Sequence, residues 1–311
     1  MLIYLIILLD DTGVSYCHHK VTKTEHRLID LDVLKRGIVW AMKENLNIQF
    51  VYPDYELPEA YKETIESIDH TKIKPLGQAD EADVIVLNGW DDEVPVGATC
   101  IIHSSRGELS DHLSTLKEWF GRLARLNVVL TDVETFTDND IAAYKQTLEA
   151  IADLMTETYQ CGKSVQLNLL TDRLALIEMN NCNAGVNNVT LAPNGKFYLC
   201  PAFYYEDDSH SVGDLTTGLE VKNRQLLQLD YAPICRVCDA YQCRRCVWMN
   251  GNLTGDMNTP SHQQCVVAHI ERNTSYYLQG KLEEAGIRLA DSQLIEEQIE
   301  LDPFNIVNKW K

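Results

Sequence analysis

The sequence predicts an α/β protein in two parts, a partial or broken (βα) barrel-like N-terminal domain and a small cysteine-rich, metal-binding C-terminal domain. Three observations carry that expectation. Up to about residue 172, short apolar runs alternate with amphipathic helical stretches. After residue 175 the texture shifts to segments rich in Cys, Gly and Asn. The stretch CRVCDAYQCRRC, residues 235–246, then places four cysteines in twelve positions. The expected divisions are 1–175, 176–275 and an acidic helical tail over 276–311.

The first element is the opening MLIYLIILLDDTG. It has no basic n-region and no small-residue cleavage site, so it does not read as a signal peptide. Its eight apolar residues before Asp10-Asp11 cannot span a bilayer. It reads as a buried strand over 2–9. Further apolar runs predict strands at 48–52, 84–88, 100–104, 128–131 and 165–170. Between them, residues 30–45, 110–125 and 138–159 have helical periodicity. In the last, Ile141, Tyr144, Leu148, Ile151 and Leu154 recur at three- or four-residue steps on one face. Asp138 stands where an N-cap belongs. Strand–helix alternation implies parallel pairing through helical crossovers. Six strands are too few for a closed eightfold barrel, which leaves an open sheet or a broken barrel.

Composition narrows the function classes. A chain of 311 residues with 45% hydrophobic content can build a real core. A net charge of -19 argues against nonspecific binding to nucleic acid or an anionic membrane and suits a basic partner or cationic peptide. No segment reaches membrane length, so a soluble, cytoplasmic protein is expected. Ten cysteines in such a chain argue for metal ligands rather than disulfides.

The second part begins with NNCNAGVNNVTLAPNGKFYLCPAF. Its APNG turn between β-rich runs predicts a hairpin that brings Cys200 near Cys182. Read in order, the region supplies Cys182, Gly195 followed by four residues and Cys200, then Cys235, Cys238, Cys243, Cys246 and a last Cys265. Soft thiolates suit iron–sulfur clusters. Cys-x2-Cys pairs are equally good corners of a tetrahedral zinc site. Cys100 and Cys161 fall in a strand and near a helix end, and read as packing or spare thiols.

This layout resembles the SPASM domain, the C-terminal module of peptide-modifying radical SAM enzymes, over residues 181–265. That family's knot is Cys-x2-Cys-x5-Cys-x3-Cys, whereas here it is Cys-x2-Cys-x4-Cys-x2-Cys. The resemblance implies two [4Fe–4S] clusters. One would use Cys235, Cys238, Cys243 and Cys265, the other Cys182, Cys200 and Cys246. An eighth ligand would come from water, a side chain such as His210, or a thiol of a bound peptide. Zinc is the alternative.

Radical SAM enzymes also carry Cys-x3-Cys-x2-Cys after the first barrel strand, and this chain has no such run. Binding of S-adenosylmethionine is therefore not expected. The corresponding loop offers Cys17-His18-His19. This reads as a surface turn, since adjacent residues point in different directions and rarely chelate one ion. The other reading is a remnant or a single-metal site with Asp10 or Asp11. Strand-end carboxylates Asp10, Asp11, Asp54, Asp132 and Glu134 are candidates for catalysis or plain loop and cap residues. A phosphate-binding glycine loop, Gly-x-Ser-x-Gly and His-Glu-x-x-His are absent.

The stretches YLIILLDDTGVSYCHH and AMKENLNIQFVYPDYELP are similar to the CXXX repeat peptide maturase family. That resemblance implies maturation of a ribosomally made, Cys-rich repeat peptide, beside a separate radical SAM enzyme. The alternative is a non-enzymatic recognition module stabilised by zinc or clusters.

Overall fold

The computed structural model describes residues 2–179 and 181–289. In chain order the first elements are β1 (Tyr4–Leu8), α1 (Leu31–Lys43), β2 (Asn47–Val51), α2 (Glu59–Ile65), β3 (Thr71–Pro75) and β4 (Val84–Val86). Next come β5 (Thr99–Ser104), α3 (Arg106–Asp111), α4 (Leu113–Phe120), β6 (Arg125–Leu130), α5 (Asp138–Gln160), β7 (Gln166–Leu167) and α6 (Thr171–Ala175). The remainder supplies β8 (Asn188–Leu191), β9 (Phe197–Tyr198), α7 (Pro201–Glu206), β10 (Gly213–Asp214), β11 (Gly218–Leu219), α8 (Val247–Thr254) and α9 (His262–Glu284). Strands β1 to β4 and β8 pair in parallel, as do β5, β6 and β7, whereas β8 and β9 pair antiparallel. The architecture is thus mixed α/β with a mostly parallel sheet.

The chain forms two compact units, each discontinuous in sequence. The first joins Met1–Val86 to Asn183–Tyr231, and the second joins Leu87–Cys182 to the chain from Ala232. Both therefore draw on segments from either side of residue 175.

In the first unit the strand order is β4-β3-β2-β1-β8-β9. Central β1 holds Ile7 opposite both Phe50 of β2 and Leu191 of β8. Residues Leu5 to Leu9 are all buried. A parallel strand covered on both faces needs such an unbroken apolar run, which is why its sequence does not alternate. Helix α1 starts at Asp30, whose carboxylate accepts from the backbone N–H groups of Asp32 and Val33. It turns Leu34, Gly37, Ile38 and Ala41 inward. Gly37 allows close approach, since a Cβ there would stand 2.5 Å from Leu191 Cδ2. The APNG segment makes the expected turn between β8 and β9, with Gly195 at φ +79°.

Strand β3, TKIKP, escaped the sequence reading. Its two lysines hide a strand whose only large apolar side chain is Ile73. Lys72 is nevertheless buried and meets the Glu66 carboxylate at 2.5 Å. A long aliphatic stem lies along apolar surface while its head finds a carboxylate.

In the second unit β5, β6 and β7 run parallel, with Ile102 opposite Val128. Helix α5 buries Ile141, Tyr144, Leu148 and Ile151. Its N-cap is Thr137, one residue before the expected Asp138. Thr137 accepts from the Asp140 backbone N–H, and the Asp140 carboxylate accepts from that of Thr137. This reciprocal box satisfies two orphan donors, and Asp138 at the same place cannot close it. Helix α9 packs on α5 through a Tyr144 to Glu271 hydrogen bond and a Lys281 to Asp153 ion pair. The expected acidic tail begins inside α9, and its part over 290–311 lies outside the described residues. No helix among the described residues is long and apolar enough to cross a membrane.

Candidate functional site

In the second unit, the knot segment is a succession of tight turns. Cys235 opens a 3₁₀ turn, and the Cys238 backbone N–H donates to the Cys235 carbonyl at 3.2 Å. The Ala240 N–H then points at Cys238 Sγ, 3.4 Å away. The Cys243 N–H donates to the Ala240 carbonyl, and Arg245 takes a left-handed φ of +43°. Cys246 caps α8. The Cys182 N–H donates to the Arg244 carbonyl at 3.1 Å, which ties Cys182 to this segment. Cys265 enters from the first turn of α9.

These turns bring Cys235, Cys238 and Cys243 within electrostatic reach of one another. Burial pushes the Cys238 and Cys243 thiols up to about 12 and raises that of Cys235. Repulsion between neighbouring thiolates adds to the rise for Cys238 and Cys243, while the Arg245 guanidinium opposes it at Cys235 and Cys243. Three clustered thiols are a donor set for a soft metal, which replaces their protons. Among the described residues, no three His, Cys, Asp or Glu side chains already surround a common point. The donor chemistry fits, and the geometry is not that of a closed coordination shell.

Sequence reasoning overlooked His269. Its ring is buried, and Nε2 lies 3.3 Å from Cys238 Sγ. The signal was present in Cys265-x3-His269, which is one turn on a helix face. His210, a candidate eighth ligand by sequence, belongs to the first unit, where it meets the Glu206 carboxylate and the edge of Phe203. Cys200 also belongs to the first unit, as the residue before α7. Cys100 is buried in β5, where burial pushes its thiol up to about 11. Cys161 is exposed at the end of α5.

In the first unit, the carboxyl end of β1 carries Asp10 and Asp11, both buried. Asp10 Oδ1 accepts from Thr12 N and Oγ1 at 2.9 and 2.7 Å, and its Oδ2 accepts from the Tyr55 hydroxyl at 2.8 Å. Asp11 accepts from Tyr204 and from Arg27 Nε, the latter at 3.0 Å. Burial raises the Tyr55 and Tyr204 phenols, and their bonds to carboxylates raise them further, so both remain donors. The two aspartates thus hold the loop after β1 in place. Asp54 is exposed, and Asp132 accepts the Arg106 backbone N–H that opens α3. Burial raises the Glu134 carboxyl above its ordinary range.

The segment at Cys17-His18-His19 is more ordered than a surface turn. His19 is 2% exposed, and its Nδ1 lies 2.9 Å from Cys17 Sγ. Its ring stacks on Tyr205 with centroids 5.3 Å apart and planes 3° from parallel. Tyr16 meets it edge-on at 5.5 Å. The oxygens of Asp10 and Asp11 accept from Thr12, Tyr55, Tyr204 and Arg27.

No protein-family model matches the chain, and no curated protein does. A solved structure, polyhistidine-tagged anSMEcpe with bound AdoMet, an anaerobic sulfatase-maturating enzyme, is similar in fold. The match covers 89% of this chain and 98% of that one, at a TM-score of 0.55 and 12% sequence identity. At that identity the likeness is one of fold, and it is consistent with the mostly parallel α/β sheet.

Proposed function

We propose that this chain is a metal-binding maturation protein for a ribosomally made, Cys-rich peptide, acting beside a separate radical SAM enzyme. The observation that carries the reading is the cluster of Cys235, which is buried, with the half-buried Cys238 and Cys243. The fold it shares with an AdoMet-bound maturating enzyme supports a maturation role coarsely. The reading takes Cys235, Cys238, Cys243 and Cys265 as ligands of one [4Fe–4S] cluster, with Cys182, Cys200 and Cys246 serving a second. Bound clusters would supply electron transfer or an open iron for a substrate thiol. The chain's own residues would deprotonate, exclude water and hold the metal. Arg245, 3% exposed beside Cys235 and Cys243, would balance thiolate charge.

A second reading is a zinc- or cluster-stabilised recognition module without catalysis. The lack of any Cys-x3-Cys-x2-Cys run favours it, since three thiolates at that spacing are absent from all 311 residues. The net charge of -19 suits a cationic peptide in either case.

Iron, sulfide and zinc content with a visible spectrum, on anaerobically purified protein, tests the choice. About eight irons and eight sulfides per chain support the two-cluster reading. One or two zincs without sulfide favour the recognition module. A folded protein with no metal overturns both. Because each thiol must release a proton, metal affinity should weaken as the pH falls.

A further inference from the structure

The loop after β1 holds a thiol beside an imidazole. Cys17 is half-exposed, whereas His19 is nine-tenths buried and aimed at it, Nδ1 to Sγ 2.9 Å. A thiol with an imidazole at this distance is either S–H donating to a neutral nitrogen or N–H donating to a thiolate, one proton transfer apart. The imidazole is fixed by Tyr205 on its face and Tyr16 at its edge. The chain around it is also pinned, since the Ser15 hydroxyl donates to the His19 carbonyl. The loop leaves the carboxyl end of the central strand of a parallel sheet, where such folds carry their reacting groups. Nucleophile, base and a rigid support for the base therefore occur together.

We propose that Cys17 is a nucleophilic thiol that exchanges with disulfides, with His19 as its base. Its natural substrate class is a peptide carrying an oxidised cysteine pair. His19 takes the Cys17 proton, and the thiolate attacks one sulfur of R–S–S–R′. The bond from Cys17 Sγ to that sulfur forms as the S–S bond breaks, and R′–S⁻ takes the proton back from His19. One disulfide replaces another, so no external oxidant or reductant is required. The peptide assignment rests on the proposed function above, whereas the nucleophile does not.

The test uses the full chain, reduced and then exposed at pH 7 to limiting cystamine, a small cationic disulfide. Acid-quenched samples are mapped by mass spectrometry. Cys161 is the internal control, being exposed at the end of α5. Cys17 should form the mixed disulfide at least about tenfold faster than Cys161, since an imidazole-activated thiol has more thiolate near neutrality. His19→Phe keeps a ring against Tyr205 and removes the base. It should slow Cys17 by about tenfold or more and leave Cys161 unchanged. Should that variant fail to fold, the wild-type pH profile decides, with the Cys17 rate reaching its plateau at lower pH than the Cys161 rate. Faster reaction at Cys161, an unaltered Cys17 rate in His19→Phe, or coincident pH profiles would overturn the proposal. Reaction with cystamine but not with an oxidised Cys-x-x-x-Cys peptide would keep the nucleophile and overturn the peptide assignment.

Discussion

Glu271 offers the most direct check on the packing of the second unit. Its carboxyl is enclosed between α9 and α5, where Oε1 accepts from the Tyr144 hydroxyl at 2.8 Å. Burial raises its pKa to about 7, while hydrogen bonds from Tyr144 and Gln242 pull the other way. The Tyr144 hydroxyl that faces it stays neutral near pH 7, because burial holds that phenol well above its usual range. A folded-state pKa above the unfolded value means that the fold favours the protonated acid. The associated stability is fully present below the unfolded value of 4.5 and is lost as pH rises through about 7. Raising the pKa from 4.5 to about 7 corresponds to about 3.5 kcal/mol when fully expressed, at about 1.4 kcal/mol per tenfold change. Glu271→Gln removes the titration and leaves an acceptor for Tyr144. Urea unfolding followed by far-ultraviolet circular dichroism, at pH 5 and pH 8.5 in reductant, compares the two proteins. The variant's stability relative to wild type should increase by about 2–3 kcal/mol between those pH values. A difference that stays constant, or that moves the other way, would refute the buried-acid argument.

Three further outcomes are expected. Gly37→Ala places a methyl 2.5 Å from Leu191 Cδ2 between α1 and β8, and should destabilise the chain by about 1–3 kcal/mol in a thermal melt, despite alanine's better helix propensity. Thr137→Ala opens the capping box of α5 and should cost about 1 kcal/mol, with Thr137→Ser restoring most of it in the same melt. Asp11→Asn removes a carboxylate that accepts from Tyr204 and Arg27; a loss of about 1–3 kcal/mol in urea unfolding is expected, and no loss would mean the loop after β1 is held by other contacts.

Much of the fold was legible because its signals are local. The runs over 2–9, 48–52 and 100–104 announce β1, β2 and β5, since a strand buried on both faces must be apolar throughout. The repeat of Ile141, Tyr144, Leu148 and Ile151 announces α5, and APNG announces the β8–β9 turn. β3 was hidden because the partners that let Lys72 lie inside, Glu66 and Glu81, are contributed by other segments. The clustering of Cys235, Cys238 and Cys243 follows from spacing alone, whereas His269 joins them only through the docking of α9.

The sequence by itself determined the α/β alternation, the central apolar strand and the crowding of thiols in the knot segment, all of which depend on neighbours a few residues apart. Tertiary structure alone decided which segments make up each compact unit, the burial of Glu271, and the enclosure of His19 against Tyr205, a residue 186 positions further along the chain. The physical reason is range. Periodicity and turn chemistry act within one element, but desolvation is set by whichever distant segment covers a side chain, and it is desolvation that turns an ordinary glutamate or histidine into a group with unusual chemistry.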